Sequence, residues 1–235
     1  MIVSINQPAY LPWLGYFQRI AASDLHIVLD HVQFEKNSFI NRNKVKTANE
    51  WCWLTVPVKT KGNFGNLPIN QLEIDNRQNW QKKHWNTFCQ NYSKAPHFKK
   101  HSPFFESIYQ YGWNSLSELC YELTSYLLKS LGITTPLVYS SDMNITGVKD
   151  ELILDLSQKV NADTYFSGIL GKKYLREELF EEAGIEIFYQ NYHHPIYPQC
   201  QGKKFEPYMS IVDLLFNCGS DSLEIIMSGE EKIKR

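Results

Sequence analysis

Two histidines, a tyrosine and a glutamine fall within seven residues, His193-His194-Pro195-Ile196-Tyr197-Pro198-Gln199, and two prolines stiffen the backbone between them. An imidazole that titrates near neutrality can take a proton from an attacking amine, so His194 is the first candidate for acid/base work. Tyr197 and Gln199 can orient a polar substrate beside it. Paired histidines could instead hold a metal, but no HExxH or other spaced ligand set accompanies them, so no metal is expected. His84, in Lys82-Lys83-His84-Trp85, is the alternative base. Trp80, His84 and Phe88 share one helical stripe, so a packed, hydrogen-bonded histidine fits the same spacing. Asp30-His31-Val32-Gln33-Phe34, followed by Asn41-Arg42-Asn43-Lys44, gathers a carboxylate, an imidazole, amides and cations in one loop. Asp30 joins the catalytic candidates there, and Gln33 and Arg42 the binding ones. The fork of Arg42 suits the diphosphate of a nucleotide; a solvated surface arginine is the plain alternative.

Two further stretches could bind a ligand. Gln7-Pro8-Ala9-Tyr10-Leu11-Pro12 runs into Trp13-Leu14-Gly15-Tyr16, two prolines and a glycine around the polar Gln7 and Tyr10. An aromatic-rich turn packed on a sheet edge reads the same way. In Ser167-Gly168-Ile169-Leu170-Gly171-Lys172-Lys173-Tyr174, Gly168 and Gly171 would let backbone amides face an anion at a helix N-terminus, with Tyr174 beside them. The spacing matches neither the Walker loop nor GxGxxG, and an ordinary glycine-bearing turn is the alternative. Asp213, in the apolar run Ile211 to Cys218, needs a partner if buried, and His194 is one candidate. Cys218 is a nucleophile only if its thiol is activated; free cysteine is more often simply buried.

These loops need elements to hold them. Ile2 to Ile5 and Leu25 to Leu29 are short, near-continuous apolar runs, the pattern of buried parallel strands, and Trp13 to Ala22 between them has helical spacing. Trp51 to Val58 and Leu72 to Ile74 read as further strands around a Gly-Asn-Pro-rich loop, residues 62–70. Trp80 to Tyr92 and Phe104 to Leu131 read as helices, with Ser115 and Glu118 as a capping box and Gly132 as a stop. Strand and helix then alternate: strands Leu137 to Ser140, Thr164 to Ser167 and Ile185 to Tyr189; helices Lys149 to Val160, Tyr174 to Ala183 and Ile211 to Asn217. The rhythm predicts an α/β fold, a mostly parallel, Rossmann-like three-layer sheet, as one domain over 1–235 with a helical insertion at about 79–132. Ligands in such folds bind beyond the carboxyl ends of the strands. Gln7, Tyr10, Asp30, Gln33, Arg42 and His194 are therefore expected on one concave surface.

Composition narrows the function classes. A net charge of −1, with cations scattered along 235 residues, lacks the footprint of a nucleic-acid binder. No apolar stretch approaches the roughly 18 residues of a membrane span, and the opening MIVSINQP is no signal peptide, so a cytoplasmic protein is expected. Five widely spaced cysteines without a CxxC pair read as reduced thiols.

The ordered set QPAYLPWLGYF, DLHIVLDHVQF, NRNKVKT, WLTVPV, KKHW with YSKAPHF, SGILGKKYL, HHPIYPQ and SIVDLLFNCG resembles the WbqC-like family nearly end to end. The layout at Gln7 to Tyr16 also resembles nucleotidyl-transferring enzymes with a His-x-Gly-His signature, but both histidines are missing, which argues against ATP-dependent adenylation. The family resemblance implies transfer of an acyl or aminoacyl group, such as glycyl, to a nucleotide-linked amino sugar in bacterial surface polysaccharide synthesis. It implies a thioester or other activated acyl donor, which a carrier protein could bear; no cofactor is expected. His194 or His84 would be the base, Gly168 to Gly171 or Tyr197 the oxyanion donors, and Arg42 the contact to the acceptor's diphosphate. A non-catalytic nucleotide or sugar binder, or a hydrolase or ligase using a low-pKa Cys218, are the alternatives.

Overall fold

The computed structural model describes the whole chain except Lys61, Asn63, Phe64, Lys203 and residues 230–235. Five parallel strands, β1 (Ile2–Asn6), β2 (Leu25–Val28), β5 (Leu137–Tyr139), β6 (Thr164–Ser167) and β7 (Glu186–Tyr189), form a sheet of order β5-β2-β1-β6-β7. Helices cover both faces, as the unbroken apolar runs of β1 and β2 require. On one face Val3, Ile5, Ile27 and Tyr165 pack with Leu152, Ile153 and Leu156 of α5 (Asp150–Lys159) and Phe180 of α6 (Glu177–Glu182). The other face carries α1 (Leu14–Ala21), which buries Leu14, Phe17 and Ile20 in the larger core. That core also takes in α2 (Trp80–Tyr92), α3 (Phe98–Gln110), α4 (Leu116–Leu131), α7 (Ile211–Cys218) and α8 (Ser222–Met227).

Four expected strand starts fall in this sheet, at Ile2, Leu25, Thr164 and, one residue late, Glu186. Three elements differ from expectation. The helical stretch Phe104 to Leu131 is two helices: Tyr111 leaves α3 in extended conformation, and Ser115 restarts the chain by accepting the Glu118 amide at 3.3 Å. Helical spacing persists across the break because Trp113 stays buried and donates to the Ile108 carbonyl at 2.8 Å. The second difference is that Arg42 and Lys44, read as loop, lie in β3 (Arg42–Lys46), an antiparallel partner of β4 (Trp51–Thr55). Its alternating basic and buried residues carry no apolar run, which hides a strand covered by cations stacked on tryptophan. Finally, Leu72 to Ile74 follows a short 3-10 turn, Ile69–Gln71, and forms only isolated bridges. Among the described residues no helix is long and apolar enough to cross a membrane.

Candidate functional site

The chain enters the sheet at its centre, runs outward through β2 to β5, then returns to β6 on the other side of β1. At this reversal, neighbouring loops leave in opposite directions and a crevice opens beyond the carboxyl ends. A cleft of about 680 Å³ lies there, reached by Asn6 at the end of β1 and Gln7 after it, by Ser167 at the end of β6 and Gly168, Gly171 and Tyr174 after it, and by Gln190 after β7. Trp13, Tyr192 and Tyr208 add an aromatic wall. Gln7, Gly168, Gly171 and Tyr174 are the expected binding residues that the fold brings together here.

Arg19, the one charged residue of α1, is 9% exposed and also lines this cleft. Its Nη1 donates to Gln190 Oε1 and its Nη2 to Asn6 Oδ1, so the ends of β1 and β7 aim the guanidinium. Gln190 is held in turn by bonds from its Nε2 to the Gly15 carbonyl (2.8 Å) and Gln18 Oε1 (2.6 Å). Gly168 permits the approach, since a Cβ there would stand 3.0 Å from Arg19 Nη1. Sequence reasoning missed Arg19, Asn6 and Gln190. The available signal was a lone arginine among apolar helical residues, which needs a polar partner.

The glycines do not act as expected. Gly171 donates its amide to the Gly168 carbonyl at 2.9 Å, closing a 3-10 turn over Ile169–Lys173, so the Gly171 amide is engaged within the turn. Gly15 makes room for the indole of Trp13, not for a ligand: a Cβ on Gly15 would lie 2.3 Å from that ring. Gly15→Ala gains about 1 kcal/mol of helix propensity but must push three ring atoms aside, at about 1–3 kcal/mol. A net loss of stability in urea and a changed near-UV tryptophan signal are expected; an unchanged signal would show that the wall does not depend on Gly15.

The expected convergence of the other candidates does not occur. Tyr10 is fully buried and bonds to His84 Nδ1 (2.9 Å) and Tyr109 (2.5 Å). Gln33 ties two loops, accepting the Leu67 amide at 2.8 Å and donating to the Phe34 carbonyl at 3.0 Å. Asp30 accepts from Ser140 Oγ, Ser141 N and Ser141 Oγ at 2.9, 2.9 and 2.7 Å, and borders a separate cleft beside Tyr121 and Tyr139. Arg42 lies in a third cleft, with His84. Tyr197 and Gln199 donate to Asp213 at 2.9 and 2.8 Å, so their polar groups are engaged inside the protein. Asp213 therefore finds Tyr92, Tyr197 and Gln199 as partners, not His194.

His84 has the packed arrangement. Burial, with Lys83 nearby, lowers its pKa to about 3, and it meets both Tyr10 and the Thr55 backbone. His194 stands one ring behind the cleft wall, 6.5 Å from Tyr192 and 5.1 Å from Tyr208 between centroids. The Pro195 carbonyl accepts from its Nδ1 at 2.8 Å, which leaves the lone pair on Nε2; that atom is buried without a hydrogen-bond partner among the described residues. Burial lowers the His194 pKa below its ordinary 6.5, so the ring is neutral at pH 7. Tyr208 is held at φ +60, a left-handed conformation that costs a non-glycine residue about 1–2 kcal/mol, and such strain gathers at ligand sites. Cys218 is buried and its thiol is raised to about 11, first by burial and then by Asp213, the reverse of an activated nucleophile. Among the described residues no group of His, Cys, Asp and Glu could hold a metal ion.

Fold and site together define a doubly wound α/β protein with a polar, aromatic-walled cleft at its switch point. The chain belongs to the WbqC-like protein family, whose model matches residues 7–225. It is similar to the uncharacterized protein Rv1507c of Mycobacterium tuberculosis (strain ATCC 25618 / H37Rv), with 37% identity over 222 residues, 94% of this chain and 95% of that protein. No solved structure matches the chain.

Proposed function

We propose that this chain is a transferase that moves an acyl or aminoacyl group, such as glycyl, onto the amine of a nucleotide-linked amino sugar in bacterial surface polysaccharide synthesis. The observation that carries this reading is the switch-point cleft: amide groups of Asn6 and Gln7, the guanidinium of Arg19 aimed by Asn6 and Gln190, and the aromatic wall of Trp13, Tyr192 and Tyr208. Amides pair with sugar hydroxyls and base edges, arginine with a diphosphate, and aromatic faces with a base or sugar ring. The nucleotide-linked acceptor occupies this cleft, and Arg19 takes the diphosphate contact assigned to Arg42 from sequence.

In the reaction the acceptor amine attacks the carbonyl carbon of a thioester. A C–N bond forms, the C–S bond breaks, and the amine's proton passes through the base to the departing thiolate. Asn6 Nδ2, a buried donor without a partner among the described residues, is the candidate for the developing oxyanion. His194 Nε2 is the candidate base, reached when the half-exposed Tyr208 turns aside. His194→Ala should then lower turnover roughly a hundredfold while His193→Ala, at the adjacent position, is mild. Because His194 titrates below its ordinary range, activity should be level at pH 7 and fall only as the solution becomes acidic below 6.5.

The test is calorimetric titration with UDP- and dTDP-linked amino sugars, followed by mass spectrometry with acyl thioesters. Nucleotide-linked sugars should bind at least about tenfold tighter than the free amino sugars, and Gln7→Ala should weaken them. Equal affinity for free and nucleotide-linked sugar would overturn the reading of the cleft. Binding without any product from an acyl thioester would favour the non-catalytic binder, for which the same cleft suffices.

A further inference from the structure

The β3–β4 hairpin and α2 enclose the cleft that holds Arg42 and His84, of about 620 Å³ and separate from the switch point. Segment 33–37 divides the two, with Glu35 lining the first and Phe34, Lys36 and Asn37 the second. Among the described residues, Lys36, Arg42 and Lys83 line this cleft and no carboxylate does. In a protein of net charge −1, that is a local concentration of one sign.

Arg42 is held ready. Its guanidinium carbon lies 4.4 Å over the Trp53 ring and its Nη2 donates to the Asn37 carbonyl, while Nε is buried with no hydrogen-bond partner among the described residues. A planar fork fixed by stacking and one carbonyl, with an unused buried donor, loses little rotational freedom when it grips an oxyanion. Neither Arg42 nor Lys83 is ion-paired with a carboxylate among the described residues. The basic face continues outward, with Lys44 Nζ 4.1 Å over Trp51 and 5.3 Å over Trp53. β-strand alternation puts Arg42 and Lys44 on one face, and the register sets Lys44 opposite Trp53. His84 closes the floor as a neutral, hydrogen-bonded ring, so the site's charge comes from the arginine and lysines.

We infer that this Arg42–Lys83 cleft is a second ligand site, for a small molecule bearing phosphate groups, independent of the switch-point cleft. The transferase reading enters only through the choice of probes: a two-substrate enzyme needs a second site, and its phosphate could belong to a thioester carrier or to a nucleotide. Coenzyme A, UDP and inorganic phosphate are titrated into the full chain at low salt by calorimetry and tryptophan fluorescence, and a thymidine oligonucleotide serves as a fourth arm. Coenzyme A or UDP should bind more tightly than inorganic phosphate. In a Gln7→Ala background, where the switch-point cleft is impaired, coenzyme A or UDP should still bind, and Arg42→Gln or the surface change Lys83→Glu should each weaken that binding at least about tenfold. Binding should also weaken as salt rises. Coenzyme A above UDP identifies a thioester carrier, and the reverse a nucleotide. The inference is overturned if no phosphate-bearing probe binds, if binding ignores both cleft variants, if Gln7→Ala abolishes it, or if the oligonucleotide outcompetes the small probes. Lys83 is exposed, so its variant retains the fold and keeps the test decisive should Arg42→Gln unfold. Amino-sugar nucleotide binding that depends on Gln7 but not on Arg42 would leave the switch-point reading standing whatever happens here.

Discussion

Asp213→Ala is expected to lower the unfolding free energy by roughly 4 kcal/mol, a large fraction of what an ordinary domain possesses. Asp213 is fully buried in α7, and its carboxylate accepts from Tyr92 Oη (2.8 Å), Tyr197 Oη (2.9 Å) and Gln199 Nε2 (2.8 Å). Tyr92 also accepts the Lys46 amide at 2.9 Å, so one carboxylate joins α2, β3, α7 and the loop after β7. Alanine leaves the buried Tyr92 and Tyr197 hydroxyls without an acceptor, each worth about 1–3 kcal/mol, and takes from Gln199 Nε2 one of its two acceptors, while removing a buried charge returns part of that loss. Burial raises the Asp213 pKa and the three donors oppose the shift, the balance expected of a carboxylate kept inside by its hydrogen bonds. Urea denaturation followed by tryptophan fluorescence measures the effect as a lower midpoint at unchanged slope. Asp213→Asn, which keeps one acceptor oxygen and the shape, should lose about half as much. A fall below about 1 kcal/mol for alanine would mean that the junction does not depend on this carboxylate.

The second large effect is an acid instability. His26 and His84 are buried and neutral, each with its pKa lowered to about 3, chiefly by burial. His26 bonds through Nδ1 to Ser4 Oγ at 2.8 Å inside the sheet, and its Nε2 has no partner among the described residues. The unfolded chain protonates both rings below about 6.5 while the folded chain does not, so it binds more protons and stability falls with pH. The contribution is complete above 6.5 and is lost progressively as pH drops toward 3. Between pH 7 and 5 the two rings together remove roughly 4 kcal/mol, at about 1.4 kcal/mol per pH unit per group. Asp213, with its raised pKa, works in the opposite direction and trims the slope. Urea midpoints across this range measure it. His101, its pKa lowered to about 4 by burial, adds to the slope, so His26→Gln should flatten it by about a third at most, and an unchanged slope would exclude His26 as a source.

Periodicity determined the framework, because a strand or helix that buries one or both faces writes its period locally. Ile2 to Ile5, Leu25 to Leu29 and Thr164 to Ser167 are legible on that ground, and so is the rule that the loops after them border a cleft. Gln7, Gly168, Gly171 and Tyr174 are found at the switch point for that reason. Family membership was equally legible, since the ordered motifs extend over nearly the whole chain.

Only the tertiary structure decided which polar groups face the cleft and which satisfy one another. Tyr10 and His84 are 74 residues apart, Tyr92 and Asp213 121, and Arg19 and Gln190 171. A polar side chain after a strand serves a ligand only if no internal partner takes its hydrogen bonds, and such partners arrive from distant elements that no local spacing announces. Tyr10, Tyr197 and Gln199 were taken inward by this competition, while Arg19, hidden within an apolar helix, was turned to the cleft by the ends of β1 and β7.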